Sequence, residues 1–344
     1  MKSIEKFTSA ELAAQCVMGR ISSDDFYADD NYKLKIQRLI EEGIGGFCVF
    51  KGKVEETRHM LDEMQMHTDI PLIFAADYEN GLLMRLDNGS PFPHAMAVGK
   101  NDPQKTYEVG KAIAQEMKFI GVHWNFAPVC DINSNPDNPI INIRSFGEDE
   151  KTVSEHVSAY IRGLQSQKVA ACAKHFPGHG DTDVDSHLAL PVLNKSLEDI
   201  KKFELAPFRK SVVEGVKSIM PGHLSVPAMD DRGLPASISD KIIKTYIFDE
   251  LNYDGIVITD SLEMKPISDK YSSGDAAIRA INAGSNLALM PQDPAEAIKQ
   301  LAEKADSDSN FKEKLKISAG KIIALKRWCG LTAYVPPMEK SSGG

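Results

Sequence analysis

The chain has 344 residues, with 40 basic and 49 acidic side chains, and so a formal net charge of −9 at pH 7. A duplex-binding protein usually carries a basic face, because neutralising phosphates supplies most of its affinity. This chain is acidic overall and has no dense Lys/Arg run, so we expect no nucleic-acid partner. A composition of 42% hydrophobic and 26% charged residues is that of a globular protein and excludes a disordered or fibrous one.

The sequence predicts neither a secretory leader nor a membrane span. Charged residues interrupt residues 1–15, which leaves no apolar stretch for a signal peptide. No run reaches the ~18–20 apolar residues that a membrane span needs. The five cysteines are odd in number and widely spaced, without a CxxC pair, which favours reduced thiols over a disulfide framework. We therefore expect a cytoplasmic protein without a membrane partner.

Eight short apolar or β-rich segments predict strands, at residues 15–21, 46–50, 71–77, 122–129, 169–175, 218–221, 255–260 and 286–290. Helical patterns separate them, at residues 32–42, 54–67, 103–120, 149–167, 197–214, 239–251, 275–283 and 294–305. A last helix is predicted over about residues 311–328. Asp149 and Ser239 are predicted N-caps, and Gly121 and Gly284 are predicted helix ends.

Strands that alternate with helices, and that are apolar on both faces, indicate a parallel sheet buried on both sides. Closing eight such units gives an α/β fold of the (β/α)₈ TIM-barrel type, which needs ~250 residues in its idealised form. The surplus residues fall mostly between the third and sixth strands. A doubly wound open sheet is the structural alternative. No linker or composition shift marks a second domain, so we predict one barrel domain over residues 1–335 and a disordered tail at 336–344.

Charged or titratable residues stand at five predicted strand ends. A barrel keeps its active site at the C-terminal ends of its strands, so these side chains would share one face. In chain order they are Asp77 and Glu79, Asp131 with Arg144 in the loop beyond it, Lys174 and His175, His223, and Asp260. Any one of them could be a solvated strand end or a local cap, but five together indicate a functional site.

Residues 174–187 read Lys-His-Phe-Pro-Gly-His-Gly-Asp-Thr-Asp-Val-Asp-Ser-His and hold three histidines and three aspartates. The glycines permit unusual backbone angles and Pro177 blocks a helix, so the segment is predicted to be a shaped loop. Its spaced aspartates mimic the opening of an EF-hand. Ser186 and Val192 occupy the positions where that loop requires Gly and Glu, so a calcium loop is excluded.

Three interpretations of this loop remain open. The first is a transition-metal site, although no helical HExxH-type spacing supports it; its ligands would be His175, His179, Asp181 and His187. The second is a proton-transferring dyad of Asp185 and His187, because residues i and i+2 of an extended stretch point to the same side. A histidine with a pKa near ~6.5 can give and take a proton around neutrality. The third is a loop whose polar groups only satisfy each other.

The second segment of interest is residues 255–264, in which an apolar strand delivers Asp260 to the barrel rim. From the residues alone, Asp260 could be a structural acceptor, a metal ligand or a nucleophile. Together with residues 174–187, this segment resembles glycoside hydrolase family 3, in particular its short β-N-acetylglucosaminidase branch. The matching motifs are Lys-His-Phe-Pro-Gly-His-Gly followed by Asp-Ser-His, and the Thr-Asp pair at residues 259–260.

Supporting matches extend the resemblance over about residues 70–290. They are Asp77-Tyr-Glu79 with Arg85-Leu86, the turn at Arg144, and His223 within Met-Pro-Gly-His-Leu. The family fold is a (β/α)₈ barrel, in agreement with the strand pattern. Many members have a second α/β sandwich domain, for which this chain is too short. A single-domain length is typical of the cytoplasmic glucosaminidases of peptidoglycan recycling.

The resemblance implies a retaining β-N-acetylglucosaminidase. It makes Asp260 the nucleophile of a covalent glycosyl-enzyme and His187 the general acid/base, with Asp185 as its dyad partner. It places around the sugar the residues Asp77, Arg85, Arg144, Lys174, His175 and, with a less defined role, His223. Such an enzyme needs a nucleophile and an acid on opposite sides of the scissile bond, and no metal, nucleotide or flavin. We expect a small GlcNAc-containing substrate and a monomer or weak oligomer.

Three positions depart from the family pattern. Asn80 replaces a glycine, Leu82 stands where an arginine is common, and Ser261 follows the proposed nucleophile where many relatives have a second Asp. These departures concern the leaving-group side of the substrate. Three other functions remain open: a phosphorylase that uses the same residues with phosphate as acceptor, a metal-dependent TIM-barrel hydrolase, and an inactive sugar-binding protein.

Overall fold

The computed structural model describes residues 4–182 and 190–331. Within them, eight strands run parallel to one another. They are β1 (Val17–Ser22), β2 (Gly46–Lys51), β3 (Ile73–Ala76), β4 (Trp124–Asn125), β5 (Ala170–Phe176), β6 (Ser218–Pro221), β7 (Ile256–Val257) and β8 (Ala288–Leu289). Their order in the sheet is β7-β6-β5-β4-β3-β2-β1-β8.

The two ends of this sheet meet. A parallel bridge joins Ile258 to Leu287, just beyond β7 and just before β8. The amide of Thr259 donates to the carbonyl of Leu287 over 3.2 Å, which continues the ladder. The predicted (β/α)₈ barrel is therefore confirmed, and the open doubly wound sheet is wrong.

The helices form the outer layer. They are α1 (Ser9–Gln15), α2 (Ser23–Ala28), α3 (Asp30–Glu41), α4 (Val54–Met66), α5 (Ala95–Val98), α6 (Pro103–Ile120), α7 (Glu150–Ser166), α8 (Leu197–Asp199), α9 (Ala206–Val213), α10 (Lys265–Ser268), α11 (Ser273–Ala283), α12 (Pro294–Ser307) and α13 (Ser309–Trp328). Short 3₁₀ turns cover Ile4–Lys6, Leu82–Met84, Asn142–Arg144 and Ala236–Ile238. π-Helical segments cover Ile200–Glu204 and Ile242–Glu250. No helix in the described ranges is both long enough and apolar enough to cross a bilayer.

The predicted caps are present. The side chain of Asp149 accepts from the amide of Thr152, and that of Ser239 accepts from the amide of Ile242. Gly121 and Gly284 end α6 and α11 with positive φ angles of 84° and 120°. These local signals are carried by residues close in sequence, which is why the sequence was sufficient to place them.

Two predicted elements differ in the structure. The helix predicted over 197–214 is interrupted before α9, because Pro207 has no amide hydrogen to continue the run of helical bonds. The strand predicted over 122–129 is regular only at Trp124–Asn125, because Pro128 cannot donate to a ladder; beyond it, Val129 forms an isolated parallel bridge with Lys174 of β5. The helices α1, α2, α5 and α10 were not predicted; a capping box between Thr8 and Glu11 begins α1.

Apolar side chains fill the interior of the barrel, so the barrel is not a pore. Met18, Cys48, Trp124 and Cys172 belong to this buried cluster, together with residues of the other strands. β2 and β3 also approach each other closely at Gly46. A Cβ at this position would lie 1.9 Å from the carbonyl oxygen of Ile73, so only glycine fits there. The packed interior leaves the loops at the C-terminal ends of the strands as the place for a site.

The last helix, α13, packs against the interior cluster through Ile322 and Leu325. Next to these residues, Lys326 is fully buried. Its ammonium nitrogen donates to Oε1 of Gln15 over 2.6 Å, and Nε2 of Gln15 donates to the carbonyl of Gly43 over 2.9 Å. Burial lowers the pKa of Lys326 to about 7, because the charged form is poorly solvated there.

We predict that Lys326→Met changes the pH dependence of stability. Below pH 7 the lysine is charged in both the folded and unfolded states, so the cost of the buried charge is at its maximum. Between about pH 7 and 10 the unfolded state binds the extra proton, and the stability of the wild type rises with pH. Relative to K326M, the wild type should gain roughly 3–4 kcal/mol over that range.

Urea unfolding of both proteins at pH 6.5, 8 and 9.5 measures this change. Lys312→Met is the matched control, because Lys312 is an exposed lysine of the same helix. K312M should track the wild type at every pH. A stability difference between wild type and K326M that is independent of pH would contradict the prediction.

Candidate functional site

A cavity of about 370 Å³ opens at the C-terminal ends of the strands. Its polar lining consists of Asp77, Glu79, Arg85, Arg144, Lys174, His175, His179, Asp260, Ser261 and Glu263. Its apolar lining consists of Phe50, Met84, Phe126, Ile140, Met220, Met264, Leu289 and Met290. A second cavity of about 280 Å³ lies outside the barrel between α2, α3 and α4 and includes Phe26, Ile40 and Met64. Only the first joins residues from several strand ends, so it is the candidate site.

Five charged residues on one side of the cavity form a connected group, called here the ion network. The ammonium of Lys174 lies 2.7 Å from Oδ1 of Asp77 and 2.7 Å from Oε1 of Glu79. Arg144 donates twice to Glu79, over 2.9 and 2.8 Å. Arg85 donates to Oδ2 of Asp77 over 3.0 Å. The network therefore ties the end of β5 to the loops that follow β3 and β4.

The ion network is charged throughout at neutral pH. Burial by itself raises the pKa values of Asp77 and Glu79, but Lys174 and the two arginines outweigh burial and hold both pKa values below the ordinary range. Burial by itself lowers the pKa of Lys174, and the two carboxylates hold it above its usual value. The network therefore brings three cations and two anions together. Its charged donors and acceptors can form hydrogen bonds with several hydroxyls of a sugar.

Asp260 enters the same cavity from the loop after β7. Its Oδ1 accepts from the amide of Ser261 over 2.8 Å. Burial opposes the charged form, but His223, His175 and this amide together hold the pKa of Asp260 below its ordinary value. Asp260 is therefore a carboxylate at neutral pH, as a nucleophile requires.

His223 lies behind the cavity wall. It is fully buried, with Nε2 2.7 Å from the carbonyl oxygen of Ser261 and Nδ1 2.6 Å from the hydroxyl of Ser237. The resemblance placed His223 near the sugar with a less defined role, and the structure brings it against the backbone beside Asp260. This arrangement favours a role in holding the Asp260 loop over direct contact with a substrate.

His175 and His179 both line the cavity and share one partner, the fully buried Asp131. Nδ1 of His175 lies 2.7 Å from Oδ2 of Asp131, and the amide of His179 donates to Oδ1 over 2.7 Å. Nδ1 of His179 contacts the hydroxyl of Thr182 at 2.6 Å. Within residues 4–182 and 190–331, no three His, Cys, Asp or Glu side chains are arranged to hold a metal ion. The transition-metal hypothesis also included His187, which lies outside the described residues.

The cavity mouth combines an aromatic ring with opposite charges. Two guanidinium groups pack against Phe50, with the Cζ of Arg20 4.2 Å and the Cζ of Arg85 4.6 Å from the centroid of its ring. Arg20 also pairs with Glu263 at 3.2 Å. Such stacking holds cations over a ring face and leaves an apolar edge for a ligand. Of the departures from the family pattern, Leu82 is buried in the core, whereas Ser261 lines the cavity.

The structure brings together most of the predicted site. Six predicted residues line one cavity: Asp77, Arg85, Arg144, Lys174, His175 and Asp260. Asp185 and His187, the predicted dyad, lie outside the described residues. The sequence did not assign roles to Glu79, Asp131, Phe50 and Glu263. Glu79 and Asp131 stood at predicted strand ends, a signal that was sufficient to place them on the correct face but not to identify their partners.

We predict that Glu79→Gln destabilises the fold by roughly 3–5 kcal/mol at pH 7, because it leaves Arg144 and Lys174 short of a buried counter-charge. The folded pKa of Glu79 is depressed, so its contribution is complete above the unfolded pKa of about 4.3 and declines as the pH falls below it. The stability gap between wild type and E79Q should therefore shrink below about pH 4.

Chemical denaturation across pH 3–7 measures this gap. Glu263→Gln is the matched control, because the Glu263 side chain is 32% exposed and pairs only with Arg20 among the ion pairs of the described chain. E263Q should stay within about 1 kcal/mol of the wild type. Equal losses in both variants would contradict a special role for Glu79.

Comparison with known proteins supports the family that the sequence motifs resemble. The model of the family described as "Glycosyl hydrolase family 3 N terminal domain" matches residues 27–325. Beta-hexosaminidase A of Pseudoalteromonas piscicida is 32% identical over 317 residues, which is 82% of this chain and 53% of that protein. The chain therefore spans about half the length of that relative.

Several solved structures are also similar to this chain. A glycoside hydrolase family 3 β-N-acetylglucosaminidase from Paenibacillus sp. str. FPU-7 has a TM-score of 0.87 and 33% identity, over 98% of this chain and 65% of that one. A β-N-acetylhexosaminidase from Beutenbergia cavernae has a TM-score of 0.84 and 25% identity, over 94% of this chain and 99% of that one. β-Glucoside phosphorylase BglX, at 22% identity and a TM-score of 0.85, covers 95% of this chain and 59% of its own, and shares the fold.

Proposed function

The chain belongs to glycosyl hydrolase family 3, and we propose that it is a retaining β-N-acetylhexosaminidase that hydrolyses terminal β-linked GlcNAc. The observation that carries this proposal is the ionised Asp260, which shares one cavity with the ion network. The names of the similar proteins from Pseudoalteromonas and Paenibacillus support the same activity. We also propose that residues 1–335 form the single catalytic domain; the predicted tail at 336–344 lies outside the described residues.

In the proposed reaction, a carboxylate oxygen of Asp260 attacks the anomeric carbon while the glycosidic C–O bond breaks. His187 donates a proton to the departing oxygen, so the aglycone leaves as an alcohol. A water molecule then attacks the anomeric carbon of the glycosyl-enzyme, gives its proton to His187, and releases Asp260. Two inversions at one carbon give net retention.

Asp185 is proposed to orient His187 and to stabilise its charged form. The basis is the Asp-Ser-His motif and the resemblance to the family, since both residues lie outside the described ranges. A histidine suits both halves of the reaction, because its ordinary pKa of about 6.5 lets it donate and then accept a proton near neutrality.

The ion network is proposed to bind the sugar. Asp77 can accept hydrogen bonds from hydroxyls, while Arg85, Arg144 and Lys174 can donate to hydroxyl oxygens or to the N-acetyl carbonyl. Their mutual pairing keeps each group ionised and limits its motion before the substrate arrives. Preorganised polar groups lower the cost of binding, because they lose little freedom when the sugar enters.

The physiological setting is also a proposal. The resemblance to the glucosaminidases of peptidoglycan recycling and the widely spaced cysteines support a cytoplasmic enzyme that acts on muropeptide fragments. The described cysteines are all unpaired, and Cys16, Cys48, Cys130 and Cys172 are buried. We propose a monomer or weak oligomer.

We predict that Asp260→Asn lowers kcat/KM for an aryl β-GlcNAc substrate by at least ~10³-fold, because an amide cannot displace the leaving group. Asp102→Asn is the control, because Asp102 caps α6 without lining the cavity and asparagine caps equally well. D102N should retain activity.

A fluorinated glycoside that slows breakdown of the covalent intermediate identifies the nucleophile directly. Peptide mass spectrometry of the trapped enzyme should find the sugar on Asp260. Recovery of the adduct on any other residue would refute the assignment. A small panel of aryl β-glycosides of GlcNAc, glucose and xylose, assayed with the wild type, tests the proposed sugar preference.

We predict that His187→Ala costs most for substrates with poor leaving groups. A good leaving group departs without protonation, so its release needs no acid. The loss in kcat/KM should be about 10-fold or more greater for an alkyl than for a dinitrophenyl β-GlcNAc. His59→Ala, on the exposed face of α4, should change neither rate. Equal losses for both substrates would contradict the acid role.

Phosphorolysis by the same residues remains the alternative, since a histidine tolerates an anionic acceptor better than a carboxylate does. The likeness to β-glucoside phosphorylase concerns the fold alone. Release of aryl groups with and without phosphate separates the two reactions: strong stimulation with a sugar-1-phosphate product would replace hydrolysis. Full activity after exhaustive chelation would count against a metal-dependent hydrolase, and measurable turnover would exclude an inactive sugar-binding protein.

A further inference from the structure

Asp131 is a fully buried carboxylate that lies just outside the cavity, behind His175. It accepts the amide of His175 at 3.2 and 3.3 Å on its two oxygens. Its Oδ1 also accepts the amide of His179 at 2.7 Å, and its Oδ2 contacts Nδ1 of the His175 ring at 2.7 Å. One side chain thus holds both the backbone and the imidazole of His175.

These contacts determine the proton on the ring. Burial by itself raises the pKa of Asp131, but His175, His179 and the amide contact outweigh it and hold that pKa below its ordinary value. A carboxylate only accepts hydrogen bonds, so Nδ1 of His175 must carry the hydrogen. In a neutral imidazole the other nitrogen, Nε2, then has the lone pair.

Nε2 of His175 is the atom available to a ligand. The ring lines the cavity beside Lys174 and Asp260, and its only hydrogen-bonding contact in the described part of the chain is through Nδ1. The cations of the ion network can donate to a sugar, but they cannot accept. A lone pair at Nε2 would supply a neutral acceptor beside these cations.

We propose that Asp131 is a positioning residue that fixes the tautomer of His175, so that Nε2 accepts a hydrogen bond from a hydroxyl of the bound sugar. This inference rests on the proposed glycosidase function. Asp131 acts through His175 and touches neither the substrate nor Asp260. Its role is to select which nitrogen faces the cavity as an acceptor.

Asp131→Asn isolates this role. The amide oxygen of asparagine can replace Oδ1 and keep both backbone contacts, while its NH₂ group replaces Oδ2 opposite Nδ1. An NH₂ donor requires Nδ1 to be the acceptor, so the hydrogen moves to Nε2 and the lone pair no longer faces the sugar. We expect kcat/KM to fall about 10- to 100-fold on an aryl β-GlcNAc.

Nitrogen-15 spectra of histidine-labelled protein read the tautomer without turnover, with the His175 signal assigned by its loss in His175→Ala. The wild type should show a protonated Nδ1 and an unprotonated Nε2, and D131N the reverse. A wild-type ring protonated at Nε2, or at both nitrogens, at neutral pH would overturn the proposal, and this measurement does not need D131N to fold.

A double-variant cycle tests whether Asp131 acts through His175. D131N should change kcat/KM less than about 2-fold in the His175→Ala background. The control is Asp230→Asn, another fully buried aspartate, bound to Arg232 and Ser239 away from the cavity. Its effect should be the same in both backgrounds. A D131N loss that persists undiminished without His175 would refute the positioning role.

The outcomes separate this inference from the proposed function. Absence of GlcNAc release by the wild type, with the expected spectra, would contradict the activity but leave the tautomer assignment standing. The cycle would then be run on whichever glycoside of the panel is hydrolysed. GlcNAc release with the wrong tautomer would leave the activity standing and overturn the role of Asp131.

Discussion

The site depends on one buried ammonium group. Lys174 is 2% exposed and lies at hydrogen-bonding distance from two carboxylates, Asp77 and Glu79. An unpaired charge at that depth would be strongly destabilising, so the lysine and its partners must fold together. The consequence is geometric: the end of β5 is tied to the segment after β3, across the intervening β4. Arg144 and Arg85 extend the same pairing to the outer loops.

Charge is distributed asymmetrically in the cavity. The ion network combines three cations with two anions, while Asp260 faces the same space with a pKa that nearby histidines lower. The proposed retaining mechanism needs both features, because the nucleophile must stay ionised while neutral hydroxyls are held by many short contacts. The apolar lining from Met84, Met264 and Ile140 leaves room for the apolar faces of a sugar and its aglycone.

Buried polar groups behind the cavity matter as much as those in it. His223 is bound on both ring nitrogens and supports the backbone next to Asp260. Asp131 binds the backbone and ring of His175. Neither arrangement follows from motif spacing, because each joins residues from different βα units. Groups of this kind restrict the orientation of catalytic side chains and so contribute to catalysis without contacting the substrate.

The sequence by itself determined the eight parallel strands, their alternation with helices, most ends of the predicted helices and the shared face of the charged residues. Periodicity, caps and strand ends are local signals, and a parallel barrel places every strand end on one rim. Only the tertiary structure decided which charges pair, that Glu79 serves both Lys174 and Arg144, that His223 is buried, and that the sheet closes between Ile258 and Leu287. These outcomes depend on distances between residues far apart in the chain, and burial decides the strength of each interaction.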